Sequence, residues 1–253
     1  MTKNEEGRKG VILRRILVAI AILVVLMVGA SIWYVNDYYH ADNTALSYVD
    51  DSKTNDVTVR TLSKGELAFV PDKPVAGLIF YPGGKVEPES YAPLMEQCAE
   101  LGILCVITRP PFNLAVLDAN TADGIREQFS DVKRWAIGGH SLGGVMAADY
   151  LSRHKDSFDA LALLGAYTAA DLKDFGGKVL LAAGTNDKVL NRDKYEQARD
   201  QLPASPNVTE LAIEGGNHAQ FGNYGPQAGD GEASISASEQ QQATAQAIRN
   251  MLA

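Results

Sequence analysis

Polar and apolar positions follow three successive regimes along this chain. Residues 16–35 form a run of twenty without a charge, which at helical rise covers about 30 Å, the thickness of a bilayer's hydrocarbon core. Residues 36–55 are polar and rich in aspartate, and predict a short stalk. Beyond them, short apolar runs alternate with helix-periodic ones. Segments 57–61 and 66–70, joined through Ser63-Lys64-Gly65, predict an antiparallel hairpin. Runs 75–81, 103–108, 135–138, 160–164, 178–183 and 208–213 read as apolar stretches, as parallel strands covered on both faces require. Between them, Tyr91, Leu94, Met95, Cys98 and Leu101 recur at i, i+3, i+4, i+7 and i+10, one buried face of a helix. Helices are also predicted over 122–129, 142–154 and 193–202, and at the carboxyl end near Met251, where Ser236 and Glu239 open a capping box. This alternation predicts an α/β fold with a mostly parallel, doubly wound sheet, whose sites lie beyond the carboxyl ends of its strands.

Charge gives the apolar run its direction. Lys3, Arg8, Lys9, Arg14 and Arg15 precede it, Trp33 and Tyr34 end it, and Asp37, Asp42, Asp50 and Asp51 follow. The pattern predicts a single-pass transmembrane anchor with a cytoplasmic amino terminus and an extracytoplasmic body. A cleaved signal peptide is the alternative, because Val28-Gly29-Ala30 offers the small residues a signal peptidase accepts, and the body would then be secreted. The apolar stretch continues past that point and favours the anchor. The expected organisation is a basic tail over 1–15, an anchor over 16–35, a stalk over 36–55 and one domain over 56–253. Net charge is -8, and residues beyond 40 carry 18 basic against 28 acidic side chains, a balance that argues against nucleic acid as partner. Cys98 and Cys105 read as buried small apolar residues, with a disulfide between them left open. They make neither a disulfide framework nor a metal-ligand spacing, and no metal or organic cofactor is expected.

Gly138-Gly139-His140-Ser141-Leu142-Gly143-Gly144 stands between a predicted strand and a predicted helix. A serine at such an apex exposes its hydroxyl, and the helix beside it aims free N–H groups at the same point, which suits a nucleophile whose attack creates an oxyanion. The hydroxyl needs a base, and the base needs an orienting acid, in the order serine, acid, histidine. Of four histidines, His40 lies in the stalk, His140 inside the turn and His154 at the end of a helix leading away; His218, directly after the last strand, is the expected base. Asp187, in Gly184-Thr185-Asn186-Asp187 after the strand 178–183, is the expected acid, with Asp174 and Asp171 as competitors. The backbone N–H of Leu142 would form half of an oxyanion hole. The other half falls to Gly84, or to Lys85 by one residue of slippage, in the turn Pro82-Gly83-Gly84-Lys85.

The phrases Tyr81-Pro82-Gly83-Gly84-Lys85-Val86, Pro111-Phe112-Asn113-Leu114-Ala115-Val116, Gly138 to Gly144, Gly184-Thr185-Asn186-Asp187 and Gly215-Gly216-Asn217-His218-Ala219-Gln220-Phe221-Gly222 together resemble the alpha/beta hydrolase superfamily. More narrowly, they resemble its bacterial fold-5 group, which is similar to dienelactone hydrolases. The resemblance implies an alpha/beta hydrolase fold with Ser141 as nucleophile, Asp187 as acid and His218 as base. Dienelactone hydrolases proper carry cysteine at the elbow; serine here points toward esters. The expectation is therefore a serine hydrolase of small-molecule or lipid carboxylic esters, acting through an acyl-enzyme and held to the membrane by its amino-terminal helix. The alternatives are an acyltransferase with the same triad and a catalytically silent binding protein on the same fold. Asn113 and Leu114 could line the pocket, and the long polar loop 219–234 reads either as a lid or as a packed structural loop.

Overall fold

The computed structural model describes residues 3–49 and 56–253. Residues 1–2 of the expected tail and 50–55 of the expected stalk lie outside them. The chain divides into two units, 1–38 and 39–253. The first is one helix, α1 (Lys3–Asn36), in which Ile12–Asn36 is long and apolar enough to cross a membrane. By length and composition this segment fits a membrane anchor or a signal sequence.

The second unit carries an eight-stranded sheet. In chain order its strands are β1 (Val57–Thr61), β2 (Leu67–Pro71), β3 (Ala76–Tyr81), β4 (Ile103–Ile107), β5 (Trp135–His140), β6 (Ala160–Leu164), β7 (Lys178–Gly184) and β8 (Val208–Ile213). Their spatial order is β1-β2-β4-β3-β5-β6-β7-β8, and from β4 to β8 all are parallel. β1 and β2 form the expected antiparallel hairpin at one edge, and β2 also runs antiparallel to β4. The winding reverses at β3, between β4 and β5, and a doubly wound sheet opens a crevice at such a reversal.

Burial on both faces explains the apolar runs. Leu78 and Phe80 of β3 face a core shared with α3 (Ala92–Glu100) and α6 (Ala237–Met251), while Ile79 and Tyr81 face another built on α4 (Leu142–Arg153). Cys98 on α3 and Cys105 on β4 are both buried and free, so the disulfide left open by the sequence does not form. α6 starts with the predicted capping box: Ser236 Oγ accepts the Glu239 N–H and Glu239 accepts the Ser236 N–H, which stabilises the helix end by about 1 kcal/mol.

Some expectations need correction. The helix expected over 122–129 is instead a series of turns ending in a 3-10 turn, Arg126–Phe129, because Gly124 takes φ 81°; Ile125 and Phe129 are nevertheless buried. The helix over 193–202 shortens to α5 (Arg192–Ala198) followed by a 3-10 turn. β8 is an edge strand in which Ile213 alone is buried, so it is not covered on both faces. Residues 39–49 of the expected stalk make defined contacts with the rest of the second unit. Tyr39 bridges to Val86, the short helix α2 (Asn43–Leu46) buries Ala45 completely, and the Asp42 N–H donates to Asn223 O. A backbone bridge, one buried alanine and a backbone hydrogen bond suffice to dock a segment whose average is polar.

Candidate active site

β5 lies in the middle of the sheet and ends at His140, so Ser141 emerges at the carboxyl rim beside the reversal point. Its backbone sits at φ 52° and ψ −125°, a strained position for a residue with a side chain. The Ser141 N–H is held by Leu164 O at 3.0 Å, and α4 begins at the next residue. Only glycine fits around this turn. A Cβ on Gly143 would lie 2.2 Å from Pro82 O, and one on Gly139 would lie 2.6 Å from Tyr81 O.

The two other expected residues meet beside it. His218 Nδ1 lies 2.8 Å from Asp187 Oδ2, with both side chains almost wholly buried. A carboxylate can only accept, so the ring proton sits on Nδ1 and Nε2 presents a lone pair. Among the described residues that Nε2 has no hydrogen-bond partner. Asp187 Oδ1 is anchored by the N–H groups of Val189 and Leu190 at 2.9 and 2.8 Å. The loops that carry acid and base are tied together by Asn186 N–H to Gly216 O at 2.8 Å. From α6, buried Gln240 accepts the Asn217 N–H and donates back to Asn217 O, which fixes the backbone just before His218. Ser141 and His218 line one pocket of about 240 Å³ with Leu142, Val145, Ala166, Tyr167, Val189 and Leu190, although no hydrogen bond joins the two side chains.

Competing assignments separate from this cluster. Asp174 is exposed and paired with Lys155, and its carboxyl is held below the usual range mainly by that hydrogen bond. Asp171 caps its own turn through the Lys173 N–H. The Lys85 N–H donates to Asn113 O at 2.8 Å and is engaged within the turn. A Cβ on Gly84 would lie 2.8 Å from the Leu142 side chain, so the turns that carry Gly84 and Leu142 are in contact. Among the described residues, neither of these two N–H groups has an acceptor.

Asn113 buttresses the Gly84 turn through that carbonyl, and neither it nor Leu114 lines the pocket. Loop 219–234 borders a separate cavity of about 490 Å³ and is pinned by Asp230 on Ala219, Asn186 on Glu232 and Gln241 on Asn223. These ties favour the packed structural loop over the lid. Several contributors went unread in the sequence. Gly165 leaves room for the acid and base, since a Cβ there would lie 2.9 Å from His218 Nδ1. Gln240 and Tyr91 are the others. Tyr91 was legible only as part of a helix face, yet its hydroxyl is 2.8 Å from His140 Nδ1. Burial pushes the Tyr91 phenol far above its ordinary pKa. Burial, reinforced by His218, pushes the His140 imidazole well below its own.

Comparison with known proteins places the chain. Solved structures of similar fold include a predicted CIB-like hydrolase from Thermoplasma acidophilum (TM-score 0.55, 15% identity, covering 77% of this chain and 98% of that one). TT1662 from Thermus thermophilus is comparable (TM-score 0.58, 14% identity, 78% and 98%). So is Est1E from Butyrivibrio proteoclasticus (TM-score 0.53, 13% identity, 77% and 98%). No curated protein sequence matches the chain. The family model described as the alpha/beta hydrolase family matches residues 77–242, a stretch that holds the elbow, the Gly84 turn, Asp187 and His218, and the chain accordingly belongs to the alpha/beta hydrolase family.

Proposed function

We propose that this protein is a serine hydrolase that cleaves carboxylic esters through an acyl-enzyme. One observation carries the reading: Asp187 engages His218 Nδ1, and His218 Nε2 stands without a hydrogen-bond partner in the pocket that Ser141 also lines. Ser141 Oγ attacks the acyl carbon while His218 Nε2 takes its proton, and the N–H groups of Gly84 and Leu142 hold the oxyanion. His218 returns the proton to the departing alkoxide. It then activates water, which attacks the acyl carbon, and Ser141 leaves with the proton restored. Asp187 orients the imidazole and stabilises its transient charge.

The pocket's modest volume and its Val145, Val189 and Leu190 walls favour a short acyl group. Est1E, a neighbour in fold, has been captured with ferulic acid, which is consistent with a carboxylic acid as one product. The apolar helix is read as a membrane anchor, with basic residues before it and acidic ones after it, so that the hydrolase domain acts outside the cytoplasm. Hydrolysis of p-nitrophenyl esters from acetate to long acyl chains, by the full chain and by Ser141→Ala, tests the reading. Turnover that prefers short chains and vanishes in the variant is expected. Equal rates in both proteins overturn it.

A further inference from the structure

Behind the proposed nucleophile and base lies a buried polar chain that the reaction steps above leave unused. Gly83 N–H donates to Tyr91 Oη at 3.0 Å, and Tyr91 Oη lies 2.8 Å from His140 Nδ1. Tyr91 is wholly buried and His140 is 1% exposed. The phenol accepts from Gly83, and its own proton, buried with the ring, finds its acceptor in His140 Nδ1, which fixes the tautomer with the proton on Nε2. The His140 ring lies against the His218 ring, with centroids 4.4 Å apart and planes tilted by 49°. Phe221 and Tyr224 flank the same imidazole at 5.5 and 6.5 Å.

The connections at either end give this chain a place in the reaction. Gly83 precedes Gly84, the proposed oxyanion donor, and His140 precedes Ser141. Two apolar rings would fill the same space without burying polar groups, which are expensive unless satisfied. A Cβ on Gly83 would lie 2.8 Å from Tyr91 Oη and 2.9 Å from His140 Nδ1, so the contact demands glycine there.

Resting on the serine hydrolase reading, we propose that Tyr91 and His140 are positioning residues for the reaction. The Tyr91 hydroxyl sets the Gly83–Gly84 peptide so that the Gly84 N–H aims at the oxyanion. His140 is the uncharged floor against which His218 keeps its ring plane. A charged group in that place would oppose the imidazolium that forms as Ser141 is deprotonated.

The test uses the full chain and p-nitrophenyl acetate, with kcat expressed per folded site. Tyr91→Phe removes one oxygen; the expected result is a fall in kcat of about 10- to 100-fold with KM changed less than threefold, the signature of an interaction needed mainly in the transition state. His140→Leu is expected to match it, and the double variant to lose little more than either, because the two act as one unit. His140→Asn, whose amide oxygen can still accept from Tyr91, is expected to recover at least fivefold over His140→Leu, and it serves if Tyr91→Phe does not fold. A purely structural role would lower stability and leave kcat per folded site intact. Folded variants with kcat within twofold of the parent overturn the proposal. Turnover that survives Ser141→Ala overturns the hydrolase reading instead.

Discussion

Replacing Asp187 by asparagine and by alanine separates what this carboxylate does for the fold from what it does for the reaction. Oδ1 holds the N–H groups of Val189 and Leu190, and Oδ2 accepts from His218 Nδ1. Asparagine can keep the first two bonds only with its amide oxygen at the Oδ1 position, which turns its NH2 toward His218. An NH2 donates, so Nδ1 must accept, and the ring proton moves to Nε2, the atom that should take the proton of Ser141. The expected loss in kcat is about 10³- to 10⁴-fold, as for the same exchange in serine proteases, or ~4–5 kcal/mol of barrier. Stability should change by only about 1–2 kcal/mol in Asp187→Asn, since both backbone bonds survive. Alanine leaves two backbone N–H groups and His218 Nδ1 without an acceptor, and at about 1–3 kcal/mol for each buried orphan the loss is roughly 3–9 kcal/mol. Ester hydrolysis normalised to folded protein, together with urea unfolding, reads both quantities. Exposed Asp174→Asn is the control and should leave both unchanged. A folded Asp187→Asn protein within tenfold of the parent kcat refutes the tautomer argument, and an alanine variant as stable as the asparagine one refutes the accounting of orphans.

Two further outcomes concern the framework. Gly143→Ala forces a methyl to 2.2 Å from a backbone carbonyl and should destabilise the protein by more than about 3 kcal/mol or prevent folding, whereas Gly176→Ala, with open space around it, should fall within about 0.5 kcal/mol of the parent in urea unfolding. Glu96 on α3 is raised from 4.5 to about 7, first by burial and then by Glu100. Between those values the folded state binds a proton that the unfolded state has released, so stability is lost as pH rises from about 4.5 through about 7. Glu96→Gln does not titrate, and its stability relative to the parent should climb by up to ~3 kcal/mol between pH 5 and pH 8 in paired urea titrations; a difference independent of pH would sink that assignment.

Legibility in the sequence tracked how local the determining physics is. β6 keeps its predicted bounds because the apolar run 160–164 lies between Asp159 and Gly165, and the outer strand β8 keeps its own between Asn207 and Glu214. The pairing of Asp187 with His218 could be anticipated from strand-end logic, since a doubly wound sheet gathers its rim loops at one edge. The 122–129 segment misled because its apolar spacing is genuine and Ile125 and Phe129 do enter the core, while one glycine redirects the backbone. Tyr91 and His140 are 49 positions apart, and nothing in either neighbourhood advertises the other. Gln240 reads as one glutamine in a run of three, and only the fold shows that it, unlike a solvent-facing neighbour, grips the backbone of Asn217. Sequence could not show that the Lys85 N–H is engaged by a single carbonyl, that of Asn113, contributed by a distant turn.

The bridge at Tyr39 has a mechanical consequence. Tyr39 N–H donates to Lys85 O, and the Glu87 N–H donates to Tyr39 O. These are the first hydrogen bonds in the second unit that a pull on the amino-terminal chain would load. They straddle Val86 and close the turn that presents Gly84, so tension arriving along the backbone is felt at that turn before it reaches any strand of the sheet. A chain that joined at β1 would instead load an outer hairpin remote from His218.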